Sequence, residues 1–93
     1  MTIRSEHIVV GGGISGLGIA HFAARRGVPT LVLEGGDRVG GCLHSRRFSD
    51  TGDFWVEAGS HSCFNSYGNL LEILADLALT HSLVAKQKLR YSL

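Results

Sequence analysis

A chain of 93 residues with 44% hydrophobic content makes one small globular domain and excludes a disordered polymer. Nine basic against eight acidic side chains leave a net charge of +1, so no electrostatic argument favours nucleic acid or an anionic membrane as a partner. No apolar stretch approaches the roughly 18 residues of a membrane helix, and the start lacks a secretory signal, which makes the cytoplasm the expected compartment.

The first predicted strand covers His7 to Val10 and runs straight into Gly11-x-Gly13-x-x-Gly16. A helix follows from about Ser15 to Arg26, with Leu17, Ala20 and Ala24 as a narrow stripe of small apolar groups facing a sheet. Arg25 and Arg26 complement its C-terminal dipole, Gly27 reads as a left-handed cap, and Pro29 stops any continuation. The second strand, Thr30 to Leu33, ends on Glu34. Strand, glycine triplet, helix and an acid 18 residues past the last of those glycines form the layout of a dinucleotide-binding unit.

Each of these positions has its own physical reason. Gly11 permits a tight turn out of the strand, Gly13 lets the backbone approach a diphosphate, and Gly16 lets the helix pack closely on the sheet. The helix begins near Ile14 and Ser15, whose N–H groups lie at its positive end, and Ser15 adds a hydroxyl donor. Glu34 is placed to accept hydrogen bonds from ribose hydroxyls and to repel a 2′-phosphate, which favours FAD or NAD over NADP.

Beyond Glu34 the chain is glycine-rich as far as Gly40 and Gly41, then predicts a hairpin. Leu43 to Ser49 and Phe54 to Glu57 flank the turn sequence Asp50-Thr51-Gly52-Asp53. Asn69-x-x-Glu72 reads as a capping box for a helix whose Leu70, Leu71, Ile73, Leu74 and Leu77 share one face. The segment Leu83 to Leu93 is expected to hold one or two short strands. Cys42 and Cys63 lack C-x-x-C spacing, and His7, His21, His44, His61 and His81 lack the spacing of a zinc site, so no metal ligand is assigned.

The order Glu34-x-x-x-Arg38-x-Gly40-Gly41, then Ser45, then Glu57-x-Gly59-x-His61, resembles the flavin-containing amine oxidase superfamily. That group includes protoporphyrinogen oxidases and carotenoid desaturases, and the likeness runs over essentially the whole chain. It implies that Gly40 and Gly41 lie against the FAD pyrophosphate and ribityl chain, and that Arg38 holds the loop or offsets phosphate charge. It also implies that Gly59, with Ser60 and His61, brings backbone close to the isoalloxazine ring. Cys42 joins this cofactor-lining set at a position where many relatives carry Arg or Lys. Lys88-Leu89-Arg90-Tyr91 and the Leu-rich helix before it look most like the protoporphyrinogen oxidase branch.

The expected fold is therefore α/β, a Rossmann-like βαβ unit that is incomplete. Residues 1–93 read as the N-terminal portion of an FAD-binding domain, with the substrate domain absent. The expected function is the FAD-binding segment of a flavin-dependent oxidoreductase that takes hydride from a C–H bond of a small-molecule substrate. A porphyrinogen, an amine or a polyene all suit that description. No catalytic residue is assigned, and the chain alone is expected to be inactive. Its exposed sheet edge and apolar helix faces predict self-association. Two alternatives share the same motifs: an NAD-binding dehydrogenase fragment, and a non-catalytic binding protein like the Rab GDP-dissociation inhibitors, which resemble this family at the N-terminus.

Overall fold

Short runs of β-branched and leucine side chains at His7–Val10 (β1) and Thr30–Leu33 (β2) pair in parallel, as two such runs separated by a helix must. The computed structural model describes residues 2–50, 52, 54–59 and 62–86. Its remaining elements are the helix Ile14–Arg25 (α1), the strands His44–Phe48 (β3) and Phe54–Ala58 (β4), and the helix Gly68–Asp76 (α2). A single 3-10 turn, Thr80–Ser82, follows. The chain divides into two compact units, residues 1–62 and residues 63–93.

In the first unit, β1 and β2 pair in the register His7↔Thr30 to Val10↔Leu33, and the ladder is extended at both ends. The His7 N–H donates to the Pro29 carbonyl at 3.2 Å, and the Gly11 N–H donates to the Leu33 carbonyl at 2.7 Å. Helix α1 connects the strands and packs on both. Its buried residue is Ala23, with Leu17 and Ala20 half-buried, while Ala24 is exposed. The expected stripe through Ala24 is thus corrected to one through Ala23. Ala23 lies seven residues beyond Gly16 and so shares the face on which Gly16 meets Val9 and the Gly11 carbonyl, whereas Ala24 is turned about 100° away from Ala23. Val10 remains 83% exposed, so the helix serves only one face of the two-stranded sheet.

Helix α1 closes with a Schellman motif. The Val28 N–H reaches the Ala23 carbonyl at 2.9 Å and the Gly27 N–H reaches Ala24 at 3.0 Å, with Gly27 at φ +72°. Strands β3 and β4 form an antiparallel hairpin in the register His44↔Ala58 to Phe48↔Phe54, close to the expected bounds. Phe48 and Phe54 stack at 5.6 Å and the Arg46 guanidinium lies 5.4 Å from the Phe48 ring centre. Of the expected turn residues, Thr51 and Asp53 lie outside the described residues.

In the second unit, the expected capping box is not formed. Tyr67 is the N-cap of α2 and no side chain caps the helix, so Asn69 already lies within its first turn. The Tyr67 N–H bonds to the Phe64 carbonyl at 2.9 Å and the two rings meet edge to face, which winds the chain into the helix before Asn69 is reached. Leu70, Leu71, Ile73 and Leu74 are half-buried and Leu77 is exposed. Residues 83–86 form no strand, and Lys88-Leu89-Arg90-Tyr91 lies outside the described residues. Among the described residues no helix is long and apolar enough to cross a membrane.

Candidate functional site

The site is built where β1 ends. The Gly11 N–H is tied to the end of β2 through Leu33, which places the glycine turn beside Glu34. Gly12 is buried, and its N–H donates to Glu34 Oε2 at 2.7 Å, while the Gly36 N–H donates to Oε1 at 3.0 Å. The hydrogen bonds from Gly36 and then Gly12 hold the Glu34 carboxyl below its ordinary range, with a smaller contribution from the Arg38 charge. A carboxylate has about four lone-pair sites, more than the Gly12 and Gly36 bonds occupy.

Helix α1 starts at Ile14 with Gly13 as its N-cap and no side-chain cap bond, and its first turn carries no acidic residue. The first N–H groups of a helix have no intrahelical partner and carry its positive dipole end. Ile14 and Ser15 are both exposed there. Gly16 follows within the same first turn, where a Cβ would strike the Gly11 carbonyl oxygen. The glycine turn therefore leads directly into the positively polarised end of α1.

The second glycine run closes on the first. The Gly40 N–H donates to the Gly12 carbonyl at 2.8 Å, and a Cβ built on Gly41 would stand 3.2 Å from the Gly13 Cα. Arg38 fastens this loop from within: its Nη2 donates to the Gly41 carbonyl at 2.8 Å and its Nη1 to the Val39 carbonyl at 3.2 Å. The Leu43 N–H then returns to the Gly40 carbonyl at 3.0 Å, completing a turn before β3.

The hairpin brings the third motif to the same place. Ser45 and Glu57 face each other across β3 and β4, with Ser45 Oγ donating to Glu57 Oε1 at 2.7 Å. Beyond β4, Gly59 adopts φ +87°, and a Cβ there would lie 2.5 Å from the Cys42 carbonyl oxygen. Only glycine meets both conditions. Cys42 is an exposed free thiol beside the glycine pair. Gly11, Gly13, Ile14, Ser15, Gly16, Glu34, Arg38, Gly40, Gly41, Cys42 and Gly59 are thus linked in one continuous region of the first unit. Ser60 and His61 lie outside the described residues.

The motif does not single out Gly12, because that residue occupies a variable position of the glycine pattern. Structurally it is the hub: its N–H meets Glu34, its carbonyl meets Gly40, and a Cβ on it would crowd Glu34 Oε2 at 2.9 Å and Val39 Cγ1 at 3.1 Å. The signal available in the sequence is the unbroken run Gly11-Gly12-Gly13, one glycine more than the pattern demands.

A parallel strand–helix–strand with a glycine turn at the helix N-terminus and an acid at the second strand's end defines a Rossmann-type dinucleotide-binding unit. Residues 9–77 match the model of the NAD(P)-binding Rossmann-like domain, and the chain belongs to that family. It is 34% identical over 82 residues to a 15-cis-phytoene desaturase of Narcissus pseudonarcissus, covering 88% of this chain and 14% of that protein. It is 36% identical over 76 residues to a flavin-dependent L-tryptophan oxidase of Lentzea aerocolonigenes, covering 81% of this chain and 16% of the oxidase. A possible lysine-specific histone demethylase of Drosophila melanogaster is 38% identical over 68 residues, covering 73% of this chain and 7% of that protein. These relatives bear out the expected kinship with the flavin-dependent oxidoreductases related to amine oxidases. The chain spans only a small part of the length of each.

Proposed function

We propose that this chain forms the adenosine-diphosphate half of an FAD site in a flavin-dependent oxidoreductase that takes hydride from a substrate C–H bond. The observation that carries this reading is the closure of the second glycine run on the first, through Gly40 to Gly12 and Gly41 against Gly13. A plain NAD-binding unit proceeds from its second strand into another helix and has no use for such a loop. Here the chain instead folds back over the phosphate turn and sends a hairpin out and back to Gly59.

The residues present fit such a cofactor. Gly13 would admit the pyrophosphate, since among the described residues the atom nearest a Cβ built there is the Gly41 Cα at 3.8 Å. The N–H groups of Ile14 and Ser15 would offset its charge, and Glu34 would bind ribose hydroxyls through its remaining lone pairs. Arg38 would act on the loop and not on the phosphate, because its guanidinium is engaged with the Val39 and Gly41 carbonyls. The Gly59 backbone would border the flavin end. When bound, the flavin supplies the hydride-accepting chemistry, and the protein supplies position and electrostatics. The substrate would be a small molecule, and the cytoplasm is the compartment we assign.

A second reading, an NAD-binding unit, is favoured by the family description alone. The absorbance spectrum of the purified protein separates the two. A yellow preparation with flavin bands supports FAD. A colourless one that takes up NAD and not FAD overturns the proposal.

A further inference from the structure

Glu34 serves more than the ribose. Its two oxygens both accept main-chain hydrogen bonds, one from the buried Gly12 at 2.7 Å and one from Gly36 at 3.0 Å. Gly12 in turn receives the Gly40 N–H at 2.8 Å, and Gly40 precedes Gly41, whose backbone rests on Gly13. The phosphate turn and the start of the loop after β2 therefore meet at one carboxylate, and the second glycine run joins them one bond away, at the Gly12 carbonyl. We infer that Glu34 is a positioning residue for the diphosphate site, setting the Gly12–Gly13 turn and, through Gly12, the Gly40–Gly41 loop.

Chemistry supports a carboxylate and no other group in this role. Both backbone groups are donors, so the residue between them must accept at two atoms. Glutamine offers one accepting and one donating end, and would set an N–H against an N–H at either Gly12 or Gly36. A negative charge this close to a diphosphate is unfavourable by Coulomb's law, so removing it should strengthen phosphate binding if charge were all that mattered. The positioning role predicts the opposite sign, which makes it testable.

This role rests on the dinucleotide reading for its meaning, yet it is read out separately in the ligand-free protein. Glu34→Gln keeps the size of the side chain and its capacity to bond a hydroxyl. In the first arm, amide hydrogen exchange is followed at Gly11, Gly12 and Gly40 by NMR without ligand. The expected result is faster exchange at Gly12 and, by about tenfold, at Gly40, with Gly11 unchanged as it bonds to Leu33. In the second arm, wild type and Glu34→Gln are titrated with FAD and with its 2′,3′-dideoxyadenosine analogue, which offers Glu34 no ribose hydroxyl. The variant should weaken both ligands by a similar factor, on the order of tenfold. A variant that weakens FAD alone and leaves Gly40 exchange untouched overturns the positioning role and leaves FAD binding intact. Wild type that fails to bind FAD, with Gly40 exchange still responding, overturns the cofactor reading instead.

Discussion

Gly41 and Gly13 touch backbone to backbone: a Cβ on Gly41 would lie 3.2 Å from the Gly13 Cα, and Gly41 sits at φ +58°. Residues far apart in sequence thus build one glycine surface, with the Gly40 N–H to Gly12 bond holding the two runs in place. A surface without side chains has a plain use, which is to let a large polar ligand reach main-chain N–H groups that a Cβ would screen. The hairpin then delivers Gly59 to the Cys42 carbonyl, extending the same surface away from the phosphate turn.

Gly13→Val separates ligand from fold. Gly13 has φ −79°, which any L-residue adopts, and the nearest atom to its Cβ is at ordinary contact distance. The variant should therefore fold, with an unchanged circular dichroism spectrum, while its side chain occupies the place assigned to the pyrophosphate. Loss of bound flavin on purification is the expected outcome. Stoichiometric flavin in a folded Gly13→Val protein would show that the phosphate lies elsewhere.

Gly16→Ala separates them in the opposite sense. The added methyl would strike the Gly11 carbonyl oxygen and crowd Val9, both parts of the backbone and core that fix α1 to β1. Overpacking of this kind costs about 1–3 kcal/mol. Denaturant titration of the ligand-free protein should show that loss. An unchanged midpoint and slope would mean that α1 is not seated on β1 as described.

Glu34 gives the pH dependence its sign. The N–H groups of Gly36 and Gly12 lower its folded-state pKa below the ordinary 4.5. A carboxyl whose pKa is depressed by folding contributes stability that is fully present above its unfolded value and is lost as pH falls through the folded one. The contribution is therefore intact at neutral pH and vanishes only in acid. Thermal melts of wild type and Glu34→Gln should differ most near pH 7 and converge as the solution is taken well below 4.5. A gap that widens in acid would mean that Glu34 is not the acceptor for these two donors.

How much of this is legible in the sequence depends on whether the cause is local. Both strands of the parallel pair are readable, because His7–Val10 and Thr30–Leu33 are apolar runs bounded by a glycine turn on one side and Pro29 on the other. The Gly27 cap is readable because left-handed backbone favours glycine and the dihedral confirms it. The buried face of α1 is not, since Ala23 and Ala24 are chemically identical and only the close approach at Gly16 decides between them. The start of α2 is hidden for a similar reason: the turn that precedes it is marked by a contact between the Phe64 and Tyr67 rings, which no capping pattern signals. At the site, the motif names the residues that leave room for a ligand. It passes over Gly12, whose task is to bond Glu34 and Gly40, because partners that lie across loops leave no periodic trace.

Gly59→Ala tests whether the hairpin belongs to the site or merely decorates it. At φ +87° an alanine is strained whatever space it has, and here its methyl would lie 2.5 Å from the Cys42 carbonyl oxygen and 3.3 Å from the Cys42 Cβ. Neither neighbour is the end of a flexible chain, so the backbone itself must shift. The shift has two directions open to it: Gly59 can lift away, or Cys42 can be pushed towards Gly41 and the first glycine run. Either one alters the wall that the flavin end would face, while the pairing of β1 with β2 and the seating of α1 on them, made by other residues, are expected to persist. The expected variant therefore retains its far-ultraviolet signal and still binds ADP, through the phosphate turn and Glu34. Its FAD affinity should fall by about tenfold or more, equivalent to a binding free energy weaker by at least about 1.4 kcal/mol. Comparing ADP with FAD in the same titration makes the assignment specific. Equal weakening of both ligands would place Gly59 in the structure of the phosphate turn, and no change for either would remove the hairpin from the cofactor site.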